Sequence, residues 1–249
     1  MRIPINNLNA RQIQAFESFG FTASNGCYIL NKEDVITLSQ SNAKYIPTDS
    51  QKFLIWNLPA EITCPFASDG CKEFCYAKKA ERMYPSVLPS RLYHLELSKS
   101  VRFVDMMIIS ITYYLNTPSY KKADKVDFRL HESGDFYSME YVSKWLAIMS
   151  AFQDVSKLRF FTYTKSFIFF ESVNLAEIKN FTLSGSIDST TTENQRMLCD
   201  ALGIQKYIAV PKYDIHNYKG HHICKCTDCG KCRYCINNHF GKVTVVAIH

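Results

Sequence analysis

Glycine and proline are scarce, at 9 and 8 of 249 residues. No long polar tract, low-complexity linker or internal repeat interrupts the chain, which excludes an extended disordered region and a repeat array. No secretory signal is present, because residues 1–9 are short and polar with no apolar segment behind them. No long hydrophobic run is present either. The most apolar stretch, Val101–Leu115, is broken by Arg102 and Asp105 and is too short and too charged to cross a bilayer. These absences predict a soluble, cytoplasmic protein with no membrane partner. No glycine-rich phosphate loop follows any strand-like run, so nucleotide binding of the Rossmann or P-loop kind has no support.

What is present is 47% hydrophobic residues, enough for one domain with a sizeable core. The expected organisation is a single unit over 1–249. It comprises an N-terminal extension to about residue 50, a body over 51–215, and a cysteine-rich tail over 216–249 that returns to the body. The formal net charge is +6. The densest basic stretches, Lys72–Lys79 and Lys219–Arg233, overlap the cysteine clusters, so charge compensation of thiolates is favoured over nucleic-acid binding.

Apolar runs rich in β-branched and aromatic residues predict strands at Cys27–Leu30, Phe53–Asn57, Val126–His131, Leu158–Thr164, Phe181–Ser186, Tyr207–Val210 and Val243–Ile248. Helices are predicted at Ala10–Phe19, Cys71–Met83, Ser90–Leu115, Ser138–Ala151 and Thr191–Leu202. Thr190 or Thr191 is placed to cap the last of these, and Gly203 to end it. The alternation from Val126 to Val210 implies parallel strands with right-handed crossovers. The expected class is α/β, as a (β/α) barrel, complete or partial, with an open doubly wound sheet as the alternative.

Ten cysteines in a reducing cytoplasm point to metal or redox chemistry rather than disulfides. Two clusters stand out. The first is Cys64-x6-Cys71-x3-Cys75. The second is Cys224-x-Cys226-x2-Cys229-x2-Cys232-x2-Cys235. Cysteines two or three residues apart can wrap thiolates around one centre. The three successive two-residue gaps follow the ferredoxin-type run more closely than the two separated pairs of a zinc ribbon. Three plus five cysteines would fill two four-thiolate sites. Cys226, Cys229, Cys232 and Cys235 would hold one cluster, and Cys224 would join Cys64, Cys71 and Cys75 at another; alternatively the first three hold a site with an open iron. The expected cofactor is one or two iron–sulfur clusters of the [4Fe-4S] kind, with zinc as the alternative. Cys27 and Cys199, inside predicted elements, read as small buried hydrophobes.

Polar residues follow three consecutive strands. Arg129, His131, Ser133 and Asp135 close the first, Tyr163, Thr164 and Lys165 the second, and Ser184, Ser186 and Asp188 the third. In parallel α/β folds, ligands gather at that edge. Arg129, His131, Asp135, Lys165 and Asp188 are therefore the candidate catalytic residues. His131 and Lys165 suit proton transfer or anion binding, and Asp135 or Asp188 could orient them. Ser133-Gly134-Asp135 is also ordinary turn chemistry.

Several blocks together resemble the phage and plasmid gene product 88 family. They are Leu58-Pro59, Cys64-Pro65, Cys71-x3-Cys75-Tyr76-Ala77-Lys78, Arg129-x-His131-x-Ser133-Gly134-Asp135-Phe136-Tyr137, Tyr163-Thr164-Lys165-Ser166, Ser184-x-Ser186-Ile187-Asp188, the closing cysteine run and a final His249. The resemblance runs from about Leu58 to the C-terminus. It implies a viral or mobile-element origin, hence a bacterial host, and cysteine-bound metal. It brings no activity with it. The spacing of six and three departs from the C-x3-C-x2-C loop of radical S-adenosylmethionine enzymes. Two classes of function stay open: an iron–sulfur redox protein or enzyme with a pocket at the strand ends, and a zinc-stapled nucleic-acid-binding or host-interaction protein. The second draws on the net charge and on an aromatic content of 14%.

Overall fold

A computed structural model of the chain describes residues 1–225, 227–237 and 241–248. The chain opens with strand β1 (Arg2–Pro4), helix α1 (Ala10–Ser18) and strand β2 (Cys27–Ile29). β1 and β2 form a small antiparallel pair. Asn9 starts α1 with a reciprocal cap, its side chain accepting from the Gln12 amide while the Gln12 side chain accepts from its own. Strand β3 (Gln51–Trp56) follows, then helices α2 (Asp69–Glu73), α3 (Tyr76–Met83), α4 (Val87–Lys99), α5 (Phe103–Asn116) and α6 (Pro118–Lys122). The rest is β4 (Lys125–Leu130), α7 (Met139–Ser150), β5 (Leu158–Thr164), β6 (Phe181–Ile187), α8 (Glu193–Ala201), β7 (Gln205–Val210), β8 (His222–Ile223), α9 (Cys229–Cys232) and β9 (Val243–Ala247).

Seven strands form one sheet in the order β3-β4-β5-β6-β7-β9-β8, and every neighbouring pair is parallel. The order follows the chain from β3 to β7 without reversal. Strands β3 and β8 end the sheet, and among the described residues no pairing joins them into a closed barrel. The class is thus α/β with a parallel sheet, as the alternation predicts.

Two predicted helices are each divided. The stretch Cys71–Met83 breaks at Cys75, whose extended backbone caps α3. The stretch Ser90–Leu115 breaks at Ser100, also extended, between α4 and α5. Both breaks occur where local backbone geometry overrides a continuous apolar pattern. The connection between β5 and β6 contains two 3-10 turns, Phe167–Phe170 and Leu175–Glu177. Thr192, not Thr190 or Thr191, caps α8, through a reciprocal pair with Gln195. Gly203 follows that helix at φ +62°, as expected of its C-terminal glycine.

Alternation along the strands gives the sheet two faces. Leu54, Trp56, Phe128, Leu130, Phe160 and Leu183 point into the main core, where they meet Phe103, Met107 and Ile111 of α5 and Trp145 and Ile148 of α7. The N-terminal segment adds Ile3, Phe16, Tyr28 and Leu38 to the same core. Phe53, Ile55 and Phe161 point the other way and form a second, smaller cluster with Tyr45 and Ile236. Asp127, Arg129, Tyr163, Thr182, Ser184 and Gln205 share that second face by register.

Candidate functional site

The second face of the sheet ends in a cavity of about 490 Å³, walled by the C-terminal ends of β4, β5 and β6, the first cysteine loop and the tail. Arg129, His131, Asp135 and Lys165 all line it. Asp188 stands just behind the wall, bound to Lys165.

Lys165 and Asp188 form a buried ion pair at 2.8 Å. The Lys165 ammonium also donates to the Ser186 carbonyl and to Thr191 Oγ1. Asp188 accepts in addition from Ser68 Oγ and Thr190 Oγ1. Burial pushes the Asp188 carboxyl up, but the hydrogen bonds from Lys165, Ser68 and Thr190 outweigh it and hold the group below the usual carboxylate range. This network fixes the first cysteine loop, since Ser68 is the N-cap of α2 and accepts from the Cys71 amide. Gly70 N donates to Thr190 Oγ1, and Gln195 Nε2 to the Phe66 carbonyl.

Asp135 has a different occupation from the one its position suggests. Its carboxylate accepts from Phe136 N, Thr164 Oγ1 and Lys165 N. It ties the loop after β4 to the end of β5 and makes no bond to His131. The turn before it needs glycine: Gly134 has φ +81°, and a Cβ there would lie 2.5 Å from Thr63 Oγ1 and 2.7 Å from Leu58 Cβ.

His131 is buried at φ +57°. Its Nε2 lies 2.9 Å from Tyr141 Oη, which accepts a hydrogen bond from Trp56 Nε1 at 2.9 Å. The phenol oxygen can take a second hydrogen bond or give its own hydrogen, so the tautomer of His131 decides which of the two ring nitrogens donates. Nδ1 has no partner among the described residues. Burial, aided by Arg129, pulls the imidazole down to about 3, so the ring is neutral at ordinary pH. Arg129 is buried beside it. The guanidinium carbon lies 4.3 Å from the centre of the Tyr163 ring and 5.4 Å from that of Phe161. Nη2 donates to the His131 carbonyl, whereas Nε and Nη1 have no partner among the described residues.

The tail closes the cavity from the other side. Arg233 grips the buried Asp127 carboxylate through both terminal nitrogens. Thr182 Oγ1 donates to the Ile236 carbonyl, Gln205 Nε2 to the Cys235 carbonyl, and Cys229 N to the Lys44 carbonyl. Strand β9 enters the sheet between β7 and β8, and Cys224 N donates to the Val245 carbonyl.

Six thiols from the two ends of the chain line this one cavity: Cys64, Cys71, Cys224, Cys229, Cys232 and Cys235. Cys75 caps α3 and is not part of the lining. Cys226 and His249 lie outside the described residues. Burial pushes the Cys64 thiol up to about 12, with Asp135 adding to the shift. Burial also raises Cys229 and Cys235, opposed at Cys229 by Lys44, Tyr45 and Arg129, and at Cys235 by hydrogen bonding with Tyr163 and Thr244 and by Arg129. Cys232 Sγ lies 3.5 Å from His222 Nε2. Among the described residues, no three His, Cys, Asp or Glu side chains sit close enough together to hold one ion. Cys199 packs against the backbone of β6, where a Cβ at Gly185 would lie 2.2 Å from its sulfur. Cys27 lies in β2, in the small N-terminal sheet.

Sequence patterns leave out the Asp127–Arg233 clamp, the Trp56–Tyr141–His131 chain and Tyr45. The only signal for the first was Asp127 itself, a charge two residues from Arg129 on the same face of an apolar strand. The aromatic content gives the nucleic-acid reading little support, because Trp56, Trp145, Tyr141, Phe103, Phe128 and Phe160, all in strands or helices, are fully buried.

Residues 36–238 match the family model described as Gene product 88. Over 140 residues the chain is 29% identical to the Gene 88 protein of Mycobacterium phage D29, covering 55% of this chain and 57% of that protein. Over 142 residues it is 28% identical to the Gene 88 protein of Mycobacterium phage L5, covering 56% and 58%. The chain thus spans little more than half the length of these relatives. No solved structure matches it. Among the described residues, no helix is long and apolar enough to cross a membrane.

Proposed function

This chain belongs to the Gene product 88 family, and we propose that it is a cysteine-ligated iron–sulfur protein whose centre faces a substrate cavity at the strand ends of a partial (β/α) barrel. The observation that carries this reading is the convergence of six thiols, from segments more than a hundred residues apart, on the walls of one cavity. Burying neutral thiols among cations brings no evident structural gain. Thiolates ligating a soft metal turn the same arrangement into a matched one, with Lys44 offsetting part of their charge.

Cys64 and Cys71, with Cys75 behind them, would hold one side of the centre, and Cys229, Cys232 and Cys235 the other. A cluster spreads its thiolates over separate irons, whereas a single zinc draws four ligands within about 2.3 Å of itself. The three successive two-residue gaps from Cys226 to Cys235 in the sequence favour the cluster. When bound, the group would supply electron transfer or a Lewis-acidic iron. The chain's own residues hold the loop in register through Asp188 and Ser68, keep a neutral imidazole at His131, and cover the cavity with the tail.

Zinc is the second reading, supported by the Cys229-x2-Cys232 turn and by His222 beside Cys232. Protein purified without oxygen distinguishes the two. Iron and acid-labile sulfide in comparable amounts, with broad visible absorption, are the expected outcome. Stoichiometric zinc in colourless protein would overturn the iron–sulfur reading.

A further inference from the structure

The wall of the cavity contains an unmatched cation. Lys165 is neutralised by Asp188 and Arg233 by Asp127. Asp135 spends its carboxylate on backbone and threonine donors. Among the described residues, Arg129 has no carboxylate partner within ion-pair distance. It is more than nine-tenths buried, stacked on Tyr163, and two of its three nitrogens have no partner among the described residues. A guanidinium enclosed this way does not shed its proton, so both its charge and its donors call for an anion. Two residues along the same strand end, His131 Nδ1 has no partner among the described residues either. Two side chains with unpartnered nitrogens therefore line one cavity large enough for a small molecule.

From this juxtaposition we infer that Arg129 and His131 form an oxyanion subsite, which takes the carboxylate or phosphate group of a small ligand entering the cavity. The planar fork of arginine suits the paired oxygens of either group, and His131 adds a third donor in the tautomer that carries its hydrogen on Nδ1. Stacking on Tyr163 holds the guanidinium plane without consuming a hydrogen bond. The inference rests on the preceding reading only in treating the cavity as a ligand site, since it requires no metal.

Inorganic phosphate and succinate, titrated separately by calorimetry into the reduced full-length chain at low ionic strength, test the subsite and distinguish the two oxyanions. The titration is run with metal present and after chelation. One of the two should saturate a single site and raise the unfolding temperature of the wild-type protein. Arg129→Lys keeps the cation but loses the fork, and should weaken that binding at least roughly tenfold; Arg129→Gln should abolish it. Saturation by neither anion overturns the subsite, whether or not the variants fold. Binding of equal strength in folded Arg129→Lys and Arg129→Gln also overturns it. If the variants lose metal but keep the oxyanion, Arg129 serves the thiolates and the inference fails. Oxyanion binding in wild-type protein that contains no iron supports the subsite and counts against the iron–sulfur reading alone.

Discussion

The two faces of the parallel sheet are built on opposite principles. The helix-covered face is apolar and self-sufficient. Trp56, Phe128 and Phe160 interdigitate with Phe103, Trp145 and Ile148 in one continuous core, and each such side chain contributes on the order of 1.5–3 kcal/mol by burial. Among the described residues, the tail-covered face has a small buried apolar cluster of Tyr45, Phe53, Ile55, Phe161 and Ile236. It is otherwise held by a carboxylate–guanidinium clamp and a few side-chain-to-carbonyl hydrogen bonds. The first face makes the fold. The second is a polar interior covered by a short tail, and its stability depends on buried charges finding partners. Chemistry is possible on the second face because it was not filled with hydrocarbon.

The contrast can be broken most forcefully at the clamp. Asp127→Asn leaves Arg233 half-buried without its anion, and breaking such a pair costs about 3–5 kcal/mol. Denaturant unfolding should register that loss, and limited proteolysis should cut in the tail before it cuts the body. Equal protection of tail and body in the variant would contradict the division into two faces.

Next in size is a pH effect. His131 holds its imidazole near 3 when folded against 6.5 as its ordinary value. The unfolded chain therefore binds a proton below about pH 6.5 that the folded chain refuses, and stability falls as pH drops from there toward 3. The loss amounts to about 3 kcal/mol by pH 4. His94, also pulled down by burial, acts in the same direction. His131→Gln should flatten the slope of stability against pH between 4 and 6.5; an unchanged slope would remove His131 from the account.

On the helix-covered face the expected effects are those of packing alone. Gly185→Ala drives a Cβ into Cys199 Sγ and should cost about 1–3 kcal/mol, with partial recovery when Cys199→Ala is added. Neither change should alter metal content, whereas a loss of metal in Cys199→Ala would make that cysteine a ligand. Smallest is Thr192→Ala, which removes the cap of α8 for about 1 kcal/mol and should leave cavity binding untouched.

The helix-covered face was also the more legible one in the sequence. Strand β5 has the boundaries its apolar run predicts, Leu158–Thr164, because a strand buried by helices must be apolar and β-rich. The parallel order followed from strand–helix alternation. The two-residue β8 is too short for any periodicity to register, and closure of the sheet depends on pairings no local pattern encodes. At the site, polar residues after apolar runs marked Arg129, His131, Asp135, Lys165 and Asp188 as neighbours. Their partners were hidden. Asp188 meets Lys165 across two strands, Asp135 serves backbone amides, and His131 depends on Tyr141 and Trp56, contacts that exist only after the chain has folded. Tyr45 and Arg233 reach the cavity from segments with no local sign of their role.

Hydrogen exchange followed by mass spectrometry, on protein with its metal and after chelation, tests most directly whether the tail-covered face depends on a thiolate-bound centre. Metal removal should speed exchange at least roughly tenfold in the segment containing Cys229, Cys232 and Ile236 and in the loop containing Cys71, while amides of β4 and β5 such as Phe128 and Phe160 keep their protection. Unchanged protection of both cysteine segments after complete removal of metal would contradict it.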